Sequence, residues 1–426
     1  MNTHPAVTRR PCALLLPLAA LATSAALCAP VAAQQGVATP EPAAPSVDLD
    51  AVIETASPPR PGATNEQVIP LSRPGHGDPV AGLGAAFHAG RRAALRAELG
   101  EGLVLLRGLP ETADYNEFHQ DKTFWYLTGV ESPDAALLMD AASGEEILFV
   151  RARDLRKEGW EGELWDTEDA WVRELTGIAD VRAIDGLVDE LDARLTEDGA
   201  LVWVSLHPAV ALSGCFDRAK PALARQAADP LDGRTSREQA LADNLRFNWS
   251  ADVRDMAAVL AELRRVKTDE ELAALRRAGS AGARALAEVI RSTRAGLGEW
   301  DMDGLVGFAA VREGADGHAY HAIVGSGHNA TTLHYSASAR DLHEGEILLV
   351  DAGPEVDHYV TDITRSWPVS GRFTDEQAEL YDAVLAAQEA GIAATKPGAT
   401  MRQVGDIANG VLRERGFGHL IKHGVC

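Results

Sequence analysis

An α/β domain followed by an α+β domain is the fold class this sequence predicts, and three observations predict it. Short apolar runs alternate with helical segments between Leu103 and Val204, the pattern of strands connected by helices. Long helices then open on capping boxes at Thr268, Thr374 and Thr400, each with Glu or Gln three residues on. Lastly, VDAGPEVDHYVTDITR, from Val350 to Arg365, reads as a β ribbon that carries Asp351 and Asp362.

The chain has 426 residues, enough for two or three domains, with the 46% hydrophobic and 24% charged content of a soluble globular protein. A net charge of −23 argues against nucleic acid as a partner, because its backbone calls for basic patches. Arg9 and Arg10 precede an apolar run from Ala13 to Ala29, and Val31-Ala32-Ala33 supplies small residues ahead of Gln34. Residues 1–33 are therefore expected to be a signal peptide, with export to the periplasm or outside and no stable membrane insertion after cleavage. Pro17 interrupts the run, which weakens an anchor reading, and Leu27 before Cys28 does not suit lipidation. Cys215 and Cys426 would remain after cleavage and read as two free thiols.

Residues 34–75 are rich in Pro, Ala, Gly, Thr and Ser and read as a linker. Residues 76–250 are expected to form the α/β domain. Its first helix begins near Gly82 and runs through Arg91 and Arg92 to about Leu99. Strands are expected at Leu103–Leu106, Ala136–Met139, Ile147–Val150 and Leu201–Val204, with helices at Thr167–Leu175 and Ile184–Leu195.

Residues 251–426 are expected to form the second domain. A helix from Asp269 to about Thr293 is followed by Arg294-Ala295-Gly296. A helix opening at Thr374 is followed by Lys396-Pro397-Gly398, and the helix after that is closed by Gly416. Two copies of a helix, glycine turn, helix and strands unit are implied. The first runs from Asp269 to Pro368, whereas the second starts at Asp375 and has about half that length before Cys426, so the domain is expected to be truncated.

Within the ribbon, Ile347–Val350 is an apolar strand, Gly353-Pro354 breaks it, and Tyr359-Val360-Thr361 restarts it. A fold-back near Val356-Asp357 would set Asp351 opposite Asp362, with the side chains about 5 Å apart. Two like charges tolerate that spacing by sharing a proton or by holding a cation. His334 lies in an expected strand within YHAIVGSGHNATTLHY (Tyr320 to Tyr335), whose Gly325-Ser326-Gly327 reads as a tight loop rather than a phosphate cradle. His419 and His423 have helical metal-ligand spacing, but Gly416, Gly418 and Gly424 argue against a helix there, which leaves His423 as a pocket-lining candidate.

From about Met256 to Cys426 the chain resembles the catalytic domain of the aminopeptidase P and prolidase family, the "pita-bread" metallopeptidases. The resemblance rests on RRVKTDEE, IVGSGHNATTLHY, VDAGPEVDHYVTDITRSWPVSGRFT and the final KHG. FHQDKTFWYLTGVESPDA, from Phe118 to Ala135, is similar to that family's N-terminal domain. The resemblance implies that Asp351 chelates one metal ion, that Asp362 bridges two, and that His334 and His423 line the substrate pocket. A further histidine and two glutamate ligands would follow Cys426, and His358 stands where glycine is common. The implied activity is release of an N-terminal residue that precedes proline, with a prolidase acting on dipeptides and a non-catalytic peptide-binding protein as alternatives. The implied cofactor is a pair of divalent ions, Mn²⁺ ahead of Co²⁺ or Zn²⁺, about 3.5–4 Å apart and sharing a hydroxide. The implied partners are a peptide with proline in second place and, in a homo-oligomer, a neighbouring N-terminal domain that closes the pocket.

Overall fold

The computed structural model describes residues 77–112, 117–210 and 216–422. The expected signal peptide and linker, Cys215, His423 and Cys426 lie outside the described residues. Among the described residues no helix is long and apolar enough to cross a membrane.

The first part is a six-stranded sheet of β1 (Leu103–Arg107), β2 (Ala136–Asp140), β3 (Glu146–Val150), β4 (Asp180–Ala183), β5 (Leu201–Val204) and β6 (Asp252–Asp255), in the order β4-β3-β2-β1-β5-β6. The β1–β2 and β2–β3 pairs are antiparallel, and β3–β4, β1–β5 and β5–β6 are parallel. Helices α1 (Ala85–Leu99), α2 (Lys122–Thr128), α3 (Leu155–Glu161), α4 (Ala170–Thr176), α5 (Leu187–Arg194), α6 (Phe216–Ala227) and α7 (Arg237–Trp249) connect the strands. Separate hydrophobic clusters take alternate residues of β1, so Val104 and Leu106 pack on one side and Leu103 and Leu105 on the other. A strand covered on both faces loses the apolar–polar alternation, which is why LVLL reads as a continuous run.

Three expectations shift. The helix expected from Thr167 starts at Ala170, after Asp169. The segment expected as one helix from Ile184 begins as a single 3₁₀ turn, and the α-helix starts only after Gly186. The sheet also runs past Ser250, because β6 pairs with β5 from Asp252 to Asp255.

The second part opens with α8 (Ala257–Arg265), α9 (Asp269–Ser292) and α10 (Glu299–Arg312), and continues after the strands with α11 (Asp375–Ala394) and α12 (Met401–Glu414). All three expected capping boxes form, at Thr268 with Glu271, Thr374 with Gln377 and Thr400 with Gln403. Between the helix pairs lie two three-stranded sheets. One is β11 (Tyr359–Val360), β10 (Pro354–Val356) and β7 (Gly317–His318), and the other is β12 (Ile363–Pro368), β9 (Ile347–Ala352) and β8 (Ile323–Ser326). This is the expected pita-bread α+β arrangement.

One core joins the two parts. Phe124, Trp125 and Leu127 of α2 pack in a single cluster with Ala274, Ala278 and Ala281 of α9 and with Val356 and Tyr359. Burying each of the large side chains contributes roughly 2–3 kcal/mol. The small face of α9 lets the ribbon sit close. A Cβ at Gly282 would lie 2.7 Å from Thr361 Cγ2 and 3.1 Å from Pro354 Cδ.

Candidate metal site

The ribbon keeps one register throughout. In β9–β12, Asp351 pairs with Thr364 and Ala352 with Ile363, and in β10–β11, Val356 pairs with Tyr359. The turn is therefore Asp357-His358, one residue beyond the expected fold-back, and that moves every pairing by two. Asp351 and Asp362 are not directly opposite. They are diagonal neighbours on one face, a relation that sets Cα atoms roughly 7–8 Å apart but leaves long side chains within reach.

A residue that the sequence reading passed over joins them. The Tyr320 hydroxyl hydrogen-bonds Asp351 Oδ1 and lies 3.1 Å from Asp362 Oδ1, so one phenolic proton serves two carboxylates. Burial, and then the two aspartates, push the Tyr320 phenol up, which keeps it a neutral donor. Partial desolvation and then the charge of Asp351 raise the Asp362 carboxyl above its usual range. Because Asp362 is solvent-exposed, water blunts the first effect, and the neighbouring charge is the more durable cause. A hard divalent cation answers that repulsion with the oxygen ligands it prefers. The donor set therefore fits such an ion as part of a coordination shell. Among the described residues no group of three or more His, Cys, Asp or Glu side chains is arranged to hold one.

The ribbon is fixed from both sides. Gly353 lies between the two aspartates, and a Cβ there would fall 1.6 Å from the Thr361 carbonyl oxygen. At the tip, Asp357 and His358 both have left-handed backbones, with φ of 52° and 65°. Two consecutive positive φ values match the twist of a two-residue hairpin, normally at the cost of Asn or Gly. Histidine is held there because its ring stacks on Trp125 at 4.3 Å and its Nε2 hydrogen-bonds Glu131 of the first part. The strand before the tip, β10, is tied across the same junction by Lys122 Nζ, 3.0 Å from the buried Glu355. Tyr359 donates to Glu271 of α9 at 3.1 Å.

His334 is not in a strand. It sits in an exposed turn after the 3₁₀ segment Gly327–Thr331 and shares no hydrogen bond or ion pair with Asp351 or Asp362 among the described residues. Its loop is anchored by Glu299, fully buried at the start of α10. That carboxylate accepts from Ser326 N at 2.7 Å, Ser326 Oγ at 2.9 Å, Asn329 Nδ2 at 3.1 Å, Tyr335 Oη at 2.8 Å and Arg340 N at 3.1 Å. Burial pushes Glu299 up, but the donors outweigh it and hold it below the usual range. His419 is exposed in a single 3₁₀ turn, and His423 lies outside the described residues.

Tyr320 heads the segment that was singled out for Gly325-Ser326-Gly327 and His334, so its signal was its place beside them. Glu299 sits in the first turn of a helix, where acids are ordinary. Nothing in the sequence marked it.

Residues 273–426 match the model of metallopeptidase family M24, and residues 88–203 match the aminopeptidase P N-terminal domain. The chain is similar to Xaa-Pro aminopeptidase 3 of Rattus norvegicus, with 32% identity over 293 residues, covering 67% of this chain and 53% of the relative. It is similar to the Xaa-Pro aminopeptidase of Escherichia coli K12, with 31% identity over 297 residues, covering 67% and 62%. Among solved structures it resembles Escherichia coli aminopeptidase P with the inhibitor Pro-Leu, at a TM-score of 0.65 and 27% identity, covering 80% of this chain and 75% of that one. The chain thus spans about half to three fifths of the length of these curated relatives. With an aminopeptidase P N-terminal domain ahead of the pita-bread fold, the chain belongs to metallopeptidase family M24.

Proposed function

We propose that this chain carries part of the catalytic apparatus of a metal-dependent Xaa-Pro aminopeptidase. The observation that carries the reading is the same-face pair Asp351 and Asp362, joined by one phenol in the family's fold. Relatives named Xaa-Pro aminopeptidase, and a structural neighbour that holds Pro-Leu, support proline in the second position of the substrate. Asp351 and Asp362 would hold divalent ions, Mn²⁺ by the hardness of the donors. When bound, such ions supply a Lewis acid that polarises the scissile carbonyl and acidifies water.

The remaining roles belong to the protein. Tyr320 keeps both carboxylates on one side of the ribbon and offsets their repulsion. The Glu299 cage holds the loop that bears His334, which would contact the peptide near the bond to be cut, with His423 as a second pocket histidine. In this reading the mature chain is exported and begins at Gln34, and a neighbouring copy's N-terminal domain closes the pocket.

The test is release of the first residue from an Xaa-Pro-Yaa peptide by the product of the complete reading frame, with and without Mn²⁺. No release under any divalent ion would overturn the proposal. A preference for the Xaa-Pro dipeptide over the longer peptide would make the enzyme a prolidase. The 426-residue chain alone is expected to bind metal weakly and not to turn over, because two carboxylates and a phenol are a sparse donor set. Tight binding of two ions in calorimetry would refute that expectation.

A further inference from the structure

A cavity of about 930 Å³ opens between the two parts, in the size range of small-molecule sites. It is not the aspartate site. Neither Asp351, Asp362 nor Tyr320 lines it, and it is bounded instead by the end of β1, by α2, α7 and α8, and by the hairpin residues His358 to Val360.

Besides Arg265, three arginines, Arg107, Arg237 and Arg264, line this space. Arg107 Nη2 donates to the carbonyl of Arg237 at 2.9 Å, so the two residues are held together. Among the described residues none of the three makes an ion pair, and the Arg237 guanidinium makes no hydrogen bond. By contrast, Lys122 and Arg265 on the same walls are paired, with Glu355 and Glu262.

Asp121, Asp217, Glu238 and Glu271 also line the cavity, and among the described residues none of them forms an ion pair with these three arginines. Asp121 caps α2 by accepting from Thr123 N and Phe124 N, and Glu271 serves its capping box and Tyr359. Glu238 favours the charge on both Arg107 and Arg237, and Asp134 and Asp121 favour that on Arg237, without pairing with either arginine. Burial pushes Arg107 down to about 10, with Arg237 as the next cause, and burial also lowers Arg237. Two adjacent, partly desolvated and unpaired cations are costly in a folded chain unless something meets them.

We propose that this cavity is a second ligand site that takes a carboxylate or phosphate group on an apolar body. The fork of Arg107 and Arg237 suits the paired oxygens of either anion, which lysine would not match. Leu106, Trp125, Leu241 and Leu260 line the same space and receive the apolar part. The site is independent of the metal chemistry, because none of the metal-site residues lines it.

The experiment uses the 426-residue chain at constant ionic strength, with chloride as the control anion. Phenyl phosphate, phenylacetate and inorganic phosphate are titrated by calorimetry and by thermal shift. The expected result is saturable binding of at least one aromatic anion, tighter than inorganic phosphate alone. Arg237→Met is expected to weaken that binding by at least about tenfold, while raising the melting temperature of the ligand-free chain. Asp362→Asn should leave the binding unchanged. Phenyl phosphate alone binding would assign a phosphate ligand, and phenylacetate alone a carboxylate. If no anion saturates, or if Arg237→Met binds as the unsubstituted chain does, the proposal is overturned. Should Arg237→Met fold poorly, Arg237→Lys keeps the charge and removes the fork, and equal affinity in that variant would overturn the bidentate assignment.

Discussion

Replacing Gly353 with alanine tests whether the ribbon geometry, rather than the two aspartates alone, makes the candidate metal site. The added Cβ would lie 1.6 Å from the Thr361 carbonyl oxygen and 3.1 Å from Tyr320 Cε1. No rotamer relieves a backbone contact, so the strands must part by roughly 1.5–2 Å to restore ordinary contact. Overpacking of that kind costs about 1–3 kcal/mol. The bonds flanking the clash, Ala319 N to Gly353 O at 2.8 Å and Thr361 N to Pro354 O at 3.3 Å, would weaken by about 1 kcal/mol between them. The sum, roughly 2–4 kcal/mol, corresponds to a fall in melting temperature of roughly 5–10 °C for a domain of this kind. Opening the ribbon also separates Asp351 from Asp362, so Mn²⁺ should stabilise the variant less than the parent. Gly304→Ala is the control. It lies inside α10 with nothing within 4 Å of the added methyl, and helix propensity makes it neutral or stabilising by about 0.5–1 kcal/mol. If Gly353→Ala melts with the parent and responds equally to Mn²⁺, the close approach is not what sets the site.

Glu299→Gln keeps the shape but replaces an acceptor of five donors with a half-acceptor. It should cost roughly 2–3 kcal/mol and raise hydrogen exchange from Ser326 to Arg340, measured by mass spectrometry. His88 is buried between the carbonyls of Tyr126 and Leu83, and burial lowers its pKa from 6.5 to about 4 despite those two acceptors. Below pH 6.5 the unfolded chain takes up a proton that the folded chain refuses. Stability is therefore complete above that pH and falls by up to roughly 3 kcal/mol as the pH drops towards 4. A His88→Gln variant should show a flatter melting profile across that window. His358→Gly relieves a left-handed histidine but removes the Trp125 stack and the Glu131 contact. A net loss of about 1 kcal/mol in urea unfolding is expected, and a gain would mean that the ring is not what holds the hairpin tip.

Much of the framework was legible because it is written in local patterns. Thr268, Thr374 and Thr400 each announce a helix by a rule that spans three residues, and all three helices start there. β6 was missed because DVRD buries only Val253. An edge strand with one apolar contact carries almost no periodicity. The register error at Asp351 and Asp362 came from the turn. Asp-His is a poor signal for two consecutive positive φ values, and only the docking of His358 on Trp125, far away in sequence, explains why the chain turns there. Tyr320 and Glu299 escaped for a related reason. Their roles are defined by partners 27 to 42 residues distant, which no window of adjacent residues contains.

The unbroken register from Ile347 to Pro368 bears on the order in which the molecule assembles. A hairpin closes in about 1–10 μs, because its contacts join residues already near one another along the chain. Docking of the same hairpin on the first part joins Lys122 to Glu355 across 233 positions, a far slower search. The two aspartates therefore meet early, on a ribbon still in water, while their final orientation waits for Trp125. An ion captured at that early stage would act on the folding route itself, holding the ribbon closed until the remainder of the protein arrives.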